Sequence, residues 1–399
     1  MLLKKGLIPS HQKKTFITLF FTIFITVTGV GIVVPLLPIF AHDMGASGFY
    51  IGMVFGSFSF SRTILLPVFG RLSDKKGRKP FVLGGLAGYA ATSLAFMFTT
   101  NVESLILVRF FQGIASAMIM PVVQAYVGEI TYKDSEGYSM GLFNMSMFAS
   151  MSLGPLLGGM LKDAFSMNSA FGCMGVLSAT GLCLSILFLP PTGKEKIRAQ
   201  EHNPVPLLLL IKNLDILALI SVRLAYTACI GVIWCFVPLF ADKQFSLSST
   251  ETGFLLMFGI FISGILNLPM GYVADRTSKN FMVIAGGTIC IYGMYLLTVA
   301  DSYFSLVISV AVFGLGGGIA NPALMALAVI KGGKVNAMAS VIALITVGHS
   351  LGMLIGSLAA GIIMDMSQLS NVFPCGLALM AAGVLVFIIL TWFTRNGSA

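Results

Sequence analysis

The stretch that decides the fold of this chain reads Gly70-Arg71-Leu72-Ser73-Asp74-Lys75-Lys76-Gly77-Arg78-Lys79-Pro80. It holds five basic residues, one acid and two glycines, and it separates two long apolar segments. Glycine permits a tight turn, and Lys and Arg are enriched in the cytoplasmic loops of membrane proteins. The stretch therefore predicts a short, positively charged turn between two membrane-spanning helices.

The composition of the whole chain also indicates a membrane protein. Of its 399 residues, 57% are hydrophobic and 10% are charged, whereas soluble domains carry about 25% charged residues. A water-exposed surface for a chain of this length needs more charge than 24 basic and 15 acidic residues supply. This balance excludes a soluble globular protein, and six cysteines are too few for a disulfide scaffold.

Twelve apolar segments are long enough to cross the roughly 30 Å hydrocarbon core of a bilayer as helices. The sequence contains no series of short alternating segments, which a membrane β-barrel would require. The predicted fold class is therefore an all-α membrane protein with twelve transmembrane helices. The predicted spans are 15–41, 49–71, 80–99, 104–130, 137–162, 170–190, 213–241, 250–273, 281–299, 304–330, 336–364 and 371–393.

The chain divides into two similar halves of six spans each. The longest connection begins at Pro190 and Pro191 and carries charges of both signs, so we interpret residues 191–212 as a cytoplasmic linker between the halves 1–190 and 213–399. Residues recur between the halves at offsets near 200: Pro38 and Pro238, Gly70 and Gly271, Asp74 and Asp275, Gly154 and Gly352. Parallel repeats of this kind predict two pseudo-symmetric halves with a substrate site between them near the middle of the membrane.

The distribution of Lys and Arg predicts the orientation of the chain. With the N-terminus inside, 19 of the 24 basic residues fall on the inner side, two on the outer side and three within spans. This bias places both termini in the cytoplasm, and we expect a multi-pass protein of the bacterial cytoplasmic (inner) membrane. The net charge of +9 thus reflects topology and contact with the lipid bilayer, and it does not indicate nucleic-acid binding.

Four stretches resemble motifs of the major facilitator superfamily. Residues 70–80 are similar to its motif A, and residues 29–38, 107–113 and 154–159 resemble the helix 1 motif, motif B and motif C of its drug:proton antiporter branch. The resemblance implies a twelve-helix secondary transporter that works by alternating access as a monomer. The activity it implies is multidrug efflux, the proton-coupled antiport of a lipophilic small molecule.

The resemblance also implies a gate. Asp74 and Arg78 are expected to form a charged latch with the inner end of helix 11 and with Glu129, Asp134 or Glu136, and this latch holds the outward-facing state. In motif C, small residues allow close helix packing and a proline bends helix 5. The predicted gating residues are Gly70, Asp74, Gly77, Arg78, Gly154, Pro155, Gly158 and Gly159.

Polar residues within the spans predict a central cavity, because burying an ionisable group in the membrane costs several kcal/mol and indicates a function. Several fall on shared helix faces at about 100° per residue. The candidate substrate cavity consists of Arg62, Arg109, Gln112, Gln124, Asn144, Arg223, Tyr226, Trp234, Asn267, Asn321 and His349. Alternatives stay open at three of them: Arg109 as a tie between helices, Arg62 reaching the membrane surface, and His349 as a plain hydrogen-bonding residue.

All 15 acids lie at span ends or in loops, so no carboxylate is expected in mid-membrane. Exporters of cationic drugs commonly use such a carboxylate to exchange the drug for a proton. Proton coupling here would use Asp43, Glu129, Asp215 or His349. Alternatively the cargo is anionic or neutral, and the chain carries organic anions or metabolites on its intramembrane arginines.

Other classes of protein are less well supported by the sequence. No Walker A pattern is found, since neither Lys194 nor Lys334 is followed by Ser or Thr. The four histidines are scattered, and no metal or cofactor site and no enzyme activity is expected. A non-transporting membrane sensor stays as a further alternative, although no soluble readout domain is apparent.

Overall fold

A computed structural model describes residues 12–131, 136–190, 210–335 and 337–396 of the chain. These residues form helices joined by short turns and contain no strand. Span α1 consists of the helices Lys13–Val33 and Leu37–Asp43. The other helices are α2 Gly48–Lys76, α3 Arg78–Met97, α4 Val102–Ile130, α5 Glu136–Ala164, α6 Met167–Phe188, α7 Leu214–Phe245, α8 Ser249–Arg276, α9 Lys279–Thr298, α10 Tyr303–Lys334, α11 Met338–Met366 and α12 Val372–Asn396, with a 3₁₀ turn at Leu369–Asn371.

The predicted all-α class and the twelve spans are confirmed. Within the described ranges, eleven helical spans are long and apolar enough to cross a membrane. The twelfth span, α5, is not among these eleven. It has 29 residues and is rich in Gly and Ser, whose small side chains permit close approach of other helices. The expected linker 191–212 lies outside the described residues except for its last three.

Two local features differ from the sequence expectation. Span α1 is interrupted at residues 34–36, because Pro35 has no N–H to donate to the helix. Helix α2 continues to Lys76, five residues beyond its predicted end, so the turn of motif A shrinks to Gly77. Lys75 and Lys76 therefore lie in the last helical turn, where positive charge is favoured by the helix dipole.

The two ends of the bundle differ in chemistry. The lysine-rich end is where α2 and α10 finish, and it carries Lys75, Lys76, Lys331 and Lys334. The opposite end, which we call the capped end, is where α2 and α8 begin and where α5 and α11 finish. Each half packs its own six helices, α1–α6 or α7–α12, and the halves meet mainly along α2 with α11 and α5 with α8.

At the capped end, a carboxylate of each half binds the first turn of a helix in the other. The backbone N–H groups of Gly48 and Phe49 in α2 donate to the two oxygens of Asp365, the second at 2.8 Å. Those of Ser249 and Thr250 in α8 donate to Asp163 at 3.2 and 2.7 Å. Both carboxylates thus satisfy N–H groups that have no partner within their own helix.

The halves diverge from the capped end towards the lysine-rich end. A Cβ atom added at Gly48 or Gly52 of α2 would meet an α11 carbonyl oxygen at 2.5 Å, whereas at Gly56 it would meet only a leucine side chain at 3.0 Å. In the last turns, Gly70 of α2 and Gly271 of α8 have nothing within 4 Å of an added Cβ. The bundle is therefore closed at the capped end and open at the other.

Candidate functional site

The opening between α5 and α8 forms a wide cavity of about 730 Å³. It reaches the lysine-rich end, because Asp275, next to the last residue of α8, lines it. The predicted cavity residues Asn144 and Asn267 lie in its wall, among apolar side chains such as Phe261 and Leu268. This space can admit a molecule from the lysine-rich side.

Beside the wide cavity lies a smaller apolar pocket of about 110 Å³. Phe148 and Ile260 line both spaces. The predicted residues Tyr226 and Trp234 lie in the wall of this pocket, and the Tyr226 ring stacks on Phe313 at 5.5 Å between centroids. Its lining of aromatic and aliphatic side chains suits an apolar or aromatic group.

Four of the predicted polar residues form one group near mid-membrane, which we call the arginine cluster: Arg62, Arg223, Asn321 and His349. Arg223 of α7 donates one guanidinium N–H to Oδ1 of Asn321 at 2.8 Å, and another guanidinium nitrogen lies 3.0 Å from Nδ1 of His349. The Nε of Arg223 is buried without a hydrogen-bond partner. The cluster adjoins the pocket, because Tyr226, which lines the pocket, lies one helical turn from Arg223 on α7.

Arg62 completes this cluster from the opposite half. It lies on α2, which packs against both α7 and α11 of the other half, and its charge acts on Arg223 and His349. Its Nε is also buried and unpartnered, and Arg62 makes no hydrogen bond or ion pair within the described part of the chain. Two guanidinium groups thus approach each other across the interface between the halves.

Arg109 and Gln112 lie elsewhere, inside the N-terminal half. Arg109 is 2% exposed, and its Nε donates to the carbonyl oxygen of Val54 at 3.0 Å while another nitrogen donates to Gln112. Its guanidinium also lies over the rings of Phe55 and Phe58. This geometry matches the alternative considered above, a tie between α4 and α2. Gln124, farther along α4, is half-buried.

Motif A holds the lysine-rich ends of α2, α3 and α4 together. Gly77 has a φ of +91° and a ψ of 156°, a conformation that only glycine adopts readily. The next residue, Arg78, forms ion pairs with Asp74 at 2.5 Å and with Glu129 at 2.8 Å. Of the expected latch, the pair between Arg78 and Glu129 is therefore present, and among the described residues Asp74 makes no bond to α11. Asp134 and the side chain of Glu136 lie outside the described residues.

Motif C packs α5 against two helices at once. Added Cβ atoms at Gly154 and Gly158 would collide with the α1 backbone at Gly31 and Ile32. Gly159 faces the carbonyl of Ser249, and the Pro155 carbonyl faces Gly253, both in α8 of the opposite half. The motif thus joins α5 to α1 within its half and contributes to the closed capped end.

The acids considered for proton coupling lie away from the arginine cluster. Asp43 is at the capped end, 58% exposed and 3.9 Å from His42. Asp215 forms an ion pair with Lys331, and Glu129 binds Arg78 as described. Of the four coupling candidates, only His349 belongs to the cluster.

Sequence reasoning missed the two carboxylates of the capped end, Asp163 and Asp365. The signal was present, because they lie 202 residues apart and the helix starts they bind, Gly48 and Ser249, lie 201 residues apart. Both offsets lie close to the repeat of about 200 residues.

A family model with the description Major Facilitator Superfamily matches residues 19–334. The chain belongs to the major facilitator superfamily. An uncharacterised MFS-type transporter of Methanocaldococcus jannaschii is 28% identical over 366 residues, covering 91% of this chain and 94% of the relative. The quinolone resistance protein NorA of Staphylococcus aureus is 24% identical over 387 residues, covering 95% and 97%.

Solved structures of the superfamily share this fold. The nucleoside transporter NupG superposes with a TM-score of 0.80 at 13% identity, covering 94% of this chain and 99% of its own. The human organic anion transporter MFSD10 gives 0.67 at 16% identity, covering 95% and 100%. The chain is therefore a multi-pass integral membrane transporter and not an enzyme, as the sequence predicts.

Proposed function

We propose that this superfamily member exports a lipophilic small molecule by alternating access, in exchange for protons. The observation that carries the proposal is the apolar pocket, which adjoins a cavity that reaches the lysine-rich end of a bundle closed at its capped end. A transporter in this state loads cargo from one side only. The whole-length similarity to a quinolone resistance protein supports export of a drug-like cargo.

The proposal includes an orientation. The lysine-rich end faces the cytoplasm of a bacterial cell, with both termini inside, because cytoplasmic ends of membrane proteins carry excess Lys and Arg. The described structure is then the inward-open state. The protein works as a monomer, since the cavity lies between the two halves of one chain.

His349 is the proposed proton carrier. A neutral imidazole can accept a hydrogen bond from Arg223 through Nδ1, whereas the protonated ring has no acceptor and repels the guanidinium. Protonation would therefore break this contact and change the charge of the arginine cluster. This links proton uptake to the part of the protein that contacts cargo.

Transport in everted vesicles tests the proposal. A lipophilic fluorescent dye should accumulate when the lumen is acidic, and nigericin, which collapses the gradient, should abolish accumulation. The variant His349→Gln should transport without a response to the gradient, while Asp43→Asn serves as a control at an exposed acid. Equal accumulation with and without the gradient would exclude proton coupling.

A second candidate is a carrier of organic anions. It is favoured by the arginine cluster, in which two guanidinium groups lack a carboxylate partner among the described residues. Uptake of anionic and neutral dyes by the Arg223→Ala variant separates the two candidates. Loss confined to anionic dyes supports the anion carrier, and unchanged uptake of both removes Arg223 from the site.

A further inference from the structure

The arginine cluster has an excess of positive charge that the protein itself does not neutralise. Each of its charged or titratable residues is far from the nearest acid on its own helix. Asp74 lies 12 residues from Arg62, Asp215 lies 8 residues from Arg223, and Asp365 lies 16 residues from His349. Eight residues of helix correspond to about 12 Å. Asp215 is already paired with Lys331, and Asp74 with Arg78. In the described structure, no carboxylate therefore pairs with either cluster arginine.

Both arginines keep hydrogen-bonding capacity for a ligand. The Nε atoms of Arg62 and Arg223 are buried and unpartnered, although such groups are costly to leave unsatisfied. Guanidinium groups bind carboxylate, sulfonate and phosphate oxygens through paired N–H groups. An anion placed between the two arginines would satisfy both and remove their mutual repulsion.

The surroundings of the cluster define the rest of the ligand. Tyr226 follows Arg223 by one helical turn, and its ring forms a wall of the apolar pocket. One turn rises about 5.4 Å, so an anionic group at the arginines can carry an aromatic or branched aliphatic body directly attached to it. The body then lies among Tyr226, Trp234 and Phe313.

We propose that Arg62 and Arg223 form one anion site, and that the ligand is an organic anion with an apolar body seated in the adjoining pocket. Because Arg62 belongs to the N-terminal half and Arg223 to the C-terminal half, the bound anion joins the halves. The empty protein resists closure at the lysine-rich end through repulsion of the two guanidinium groups. This inference rests on the proposed transport function and specifies its cargo.

Three matched ligands test the charge of the cargo: 4-tert-butylbenzoate, 4-tert-butylbenzamide and 4-tert-butylbenzylammonium. Binding can be followed by Trp234 fluorescence in the Trp392→Phe variant, because the chain has two tryptophans and Trp392 is exposed on α12. In phosphatidylcholine nanodiscs, the benzoate should bind about tenfold more tightly than the amide. Equal affinity of all three ligands would overturn the proposal.

Arginine variants test the site itself. Arg62→Gln and Arg223→Gln should each weaken benzoate binding about tenfold and leave amide binding unchanged, and Arg223→Lys should restore part of the loss. Arg276→Gln is the matched control, because Arg276 stacks on Tyr272 at the end of α8. Thermal melting verifies that each variant folds. If Arg223→Gln does not fold, the benzoate affinities of Arg62→Gln and Arg223→Lys test the site instead. Benzoate affinity that is indifferent to both arginines would overturn the site.

Two further comparisons separate the possible outcomes. The anion can be a soluble compound or an anionic lipid, and the titration is therefore repeated in nanodiscs that contain phosphatidylglycerol. Weaker benzoate binding there identifies the lipid as the competing occupant, and equal binding identifies a soluble anion, both at the same site. If benzoate binding depends on the arginines but no uptake is driven by the gradient, the proposed export is contradicted and the anion site is kept. If the gradient drives uptake of the amide alone, the proposed export is kept and the anion site is contradicted.

Discussion

Asp163 and Asp365 make the same contact from opposite halves of the molecule. Each lies in the last turn of its helix and accepts two backbone N–H groups from the first turn of a helix in the other half. Asp163 also accepts a hydrogen bond from the Thr250 hydroxyl at 2.7 Å. These contacts must break when the capped end opens, so they contribute to the balance between the two states.

Removing both carboxylates should favour opening of the capped end. A helix cap contributes about 0.5–2 kcal/mol, and 1 kcal/mol changes an equilibrium about fivefold. The Asp163→Ala/Asp365→Ala variant should therefore increase the population open at this end at least about fivefold. Pulsed electron paramagnetic resonance between spin labels at Thr100 and Val299, in a cysteine-free background, measures that population.

The control for this experiment is Asp301→Ala, which removes an exposed acid at the same end. The side chain of Asp301 makes no hydrogen bond or ion pair within the described ranges. An unchanged distance distribution in the double variant would mean that the two caps do not stabilise the closed end.

Gly77→Ala should lower the stability of the protein. A side chain at a φ of +91° and ψ of 156° costs about 1–3 kcal/mol. Gly70→Ala is the matched control, because Gly70 lies in α2 with nothing within 4 Å of an added Cβ, and alanine in a helix is favoured by about 0.5–1 kcal/mol. The melting temperature in detergent should therefore fall for Gly77→Ala and rise for Gly70→Ala. Equal shifts of the two variants would contradict this reasoning.

Asp74→Asn should slow transport with little effect on cargo binding. Asp74 is 48% exposed and pairs with Arg78, which Glu129 also holds, so the loss in the described state is modest. An exposed ion pair contributes about 0.2–1 kcal/mol. We expect turnover to fall about two- to fivefold through the population of the opposite state. Normal turnover, or a parallel loss of binding, would argue against a latch.

Gly158→Leu should disrupt the packing of α5. The glycine faces the carbonyl of Ile32, and a larger side chain would force α5 away from α1. Overpacking of this kind typically costs about 1–3 kcal/mol. Gly172→Leu in α6 is the control, since an added Cβ there meets nothing within 4 Å. The melting temperature and the transport rate should both fall for Gly158→Leu and not for Gly172→Leu. Wild-type values for Gly158→Leu would show that the α5–α1 contact is not tight.

Arg109→Leu should destabilise the N-terminal half without changing cargo affinity. The substitution removes the Arg109 donors to the Val54 carbonyl and to Oε1 of Gln112. The Val54 carbonyl keeps a hydrogen bond from Ser57, whereas Oε1 of Gln112 loses its donor in the interior, at a cost of about 1–3 kcal/mol. Melting should therefore shift downwards, while the dissociation constant of 4-tert-butylbenzoate stays the same for the folded protein. A selective loss of anion binding would instead place Arg109 in the substrate site.

The number of helices and their approximate positions followed from the sequence because the bilayer imposes a minimum apolar length on every span. The helix boundaries followed less well. The charge of Lys75 and Lys76 indicates a loop, yet positive charge is also favoured in the last turn of a helix, and Gly77 alone makes the turn.

The candidate site was predictable as a set of residues but not as an arrangement. Helical spacing correctly placed Arg223 beside Tyr226, since both lie on one face of α7. Helical spacing does not show that Arg109 is satisfied by its surroundings while Arg62 is not, because that difference depends on the hydrogen-bond acceptors and rings on the neighbouring helices. Phe55 and the Val54 carbonyl satisfy Arg109, whereas the Nε of Arg62 meets no acceptor.

The reciprocal caps give the seam between the halves the character of an isologous dimer interface. In a two-fold symmetric pair of six-helix chains, one aspartate at the end of one helix would create both contacts, because every interaction across such an axis occurs twice. Fusion of the pair into one chain releases the two copies from identity. Asp163, which also accepts a hydrogen bond from the Thr250 hydroxyl, differs in this way from Asp365.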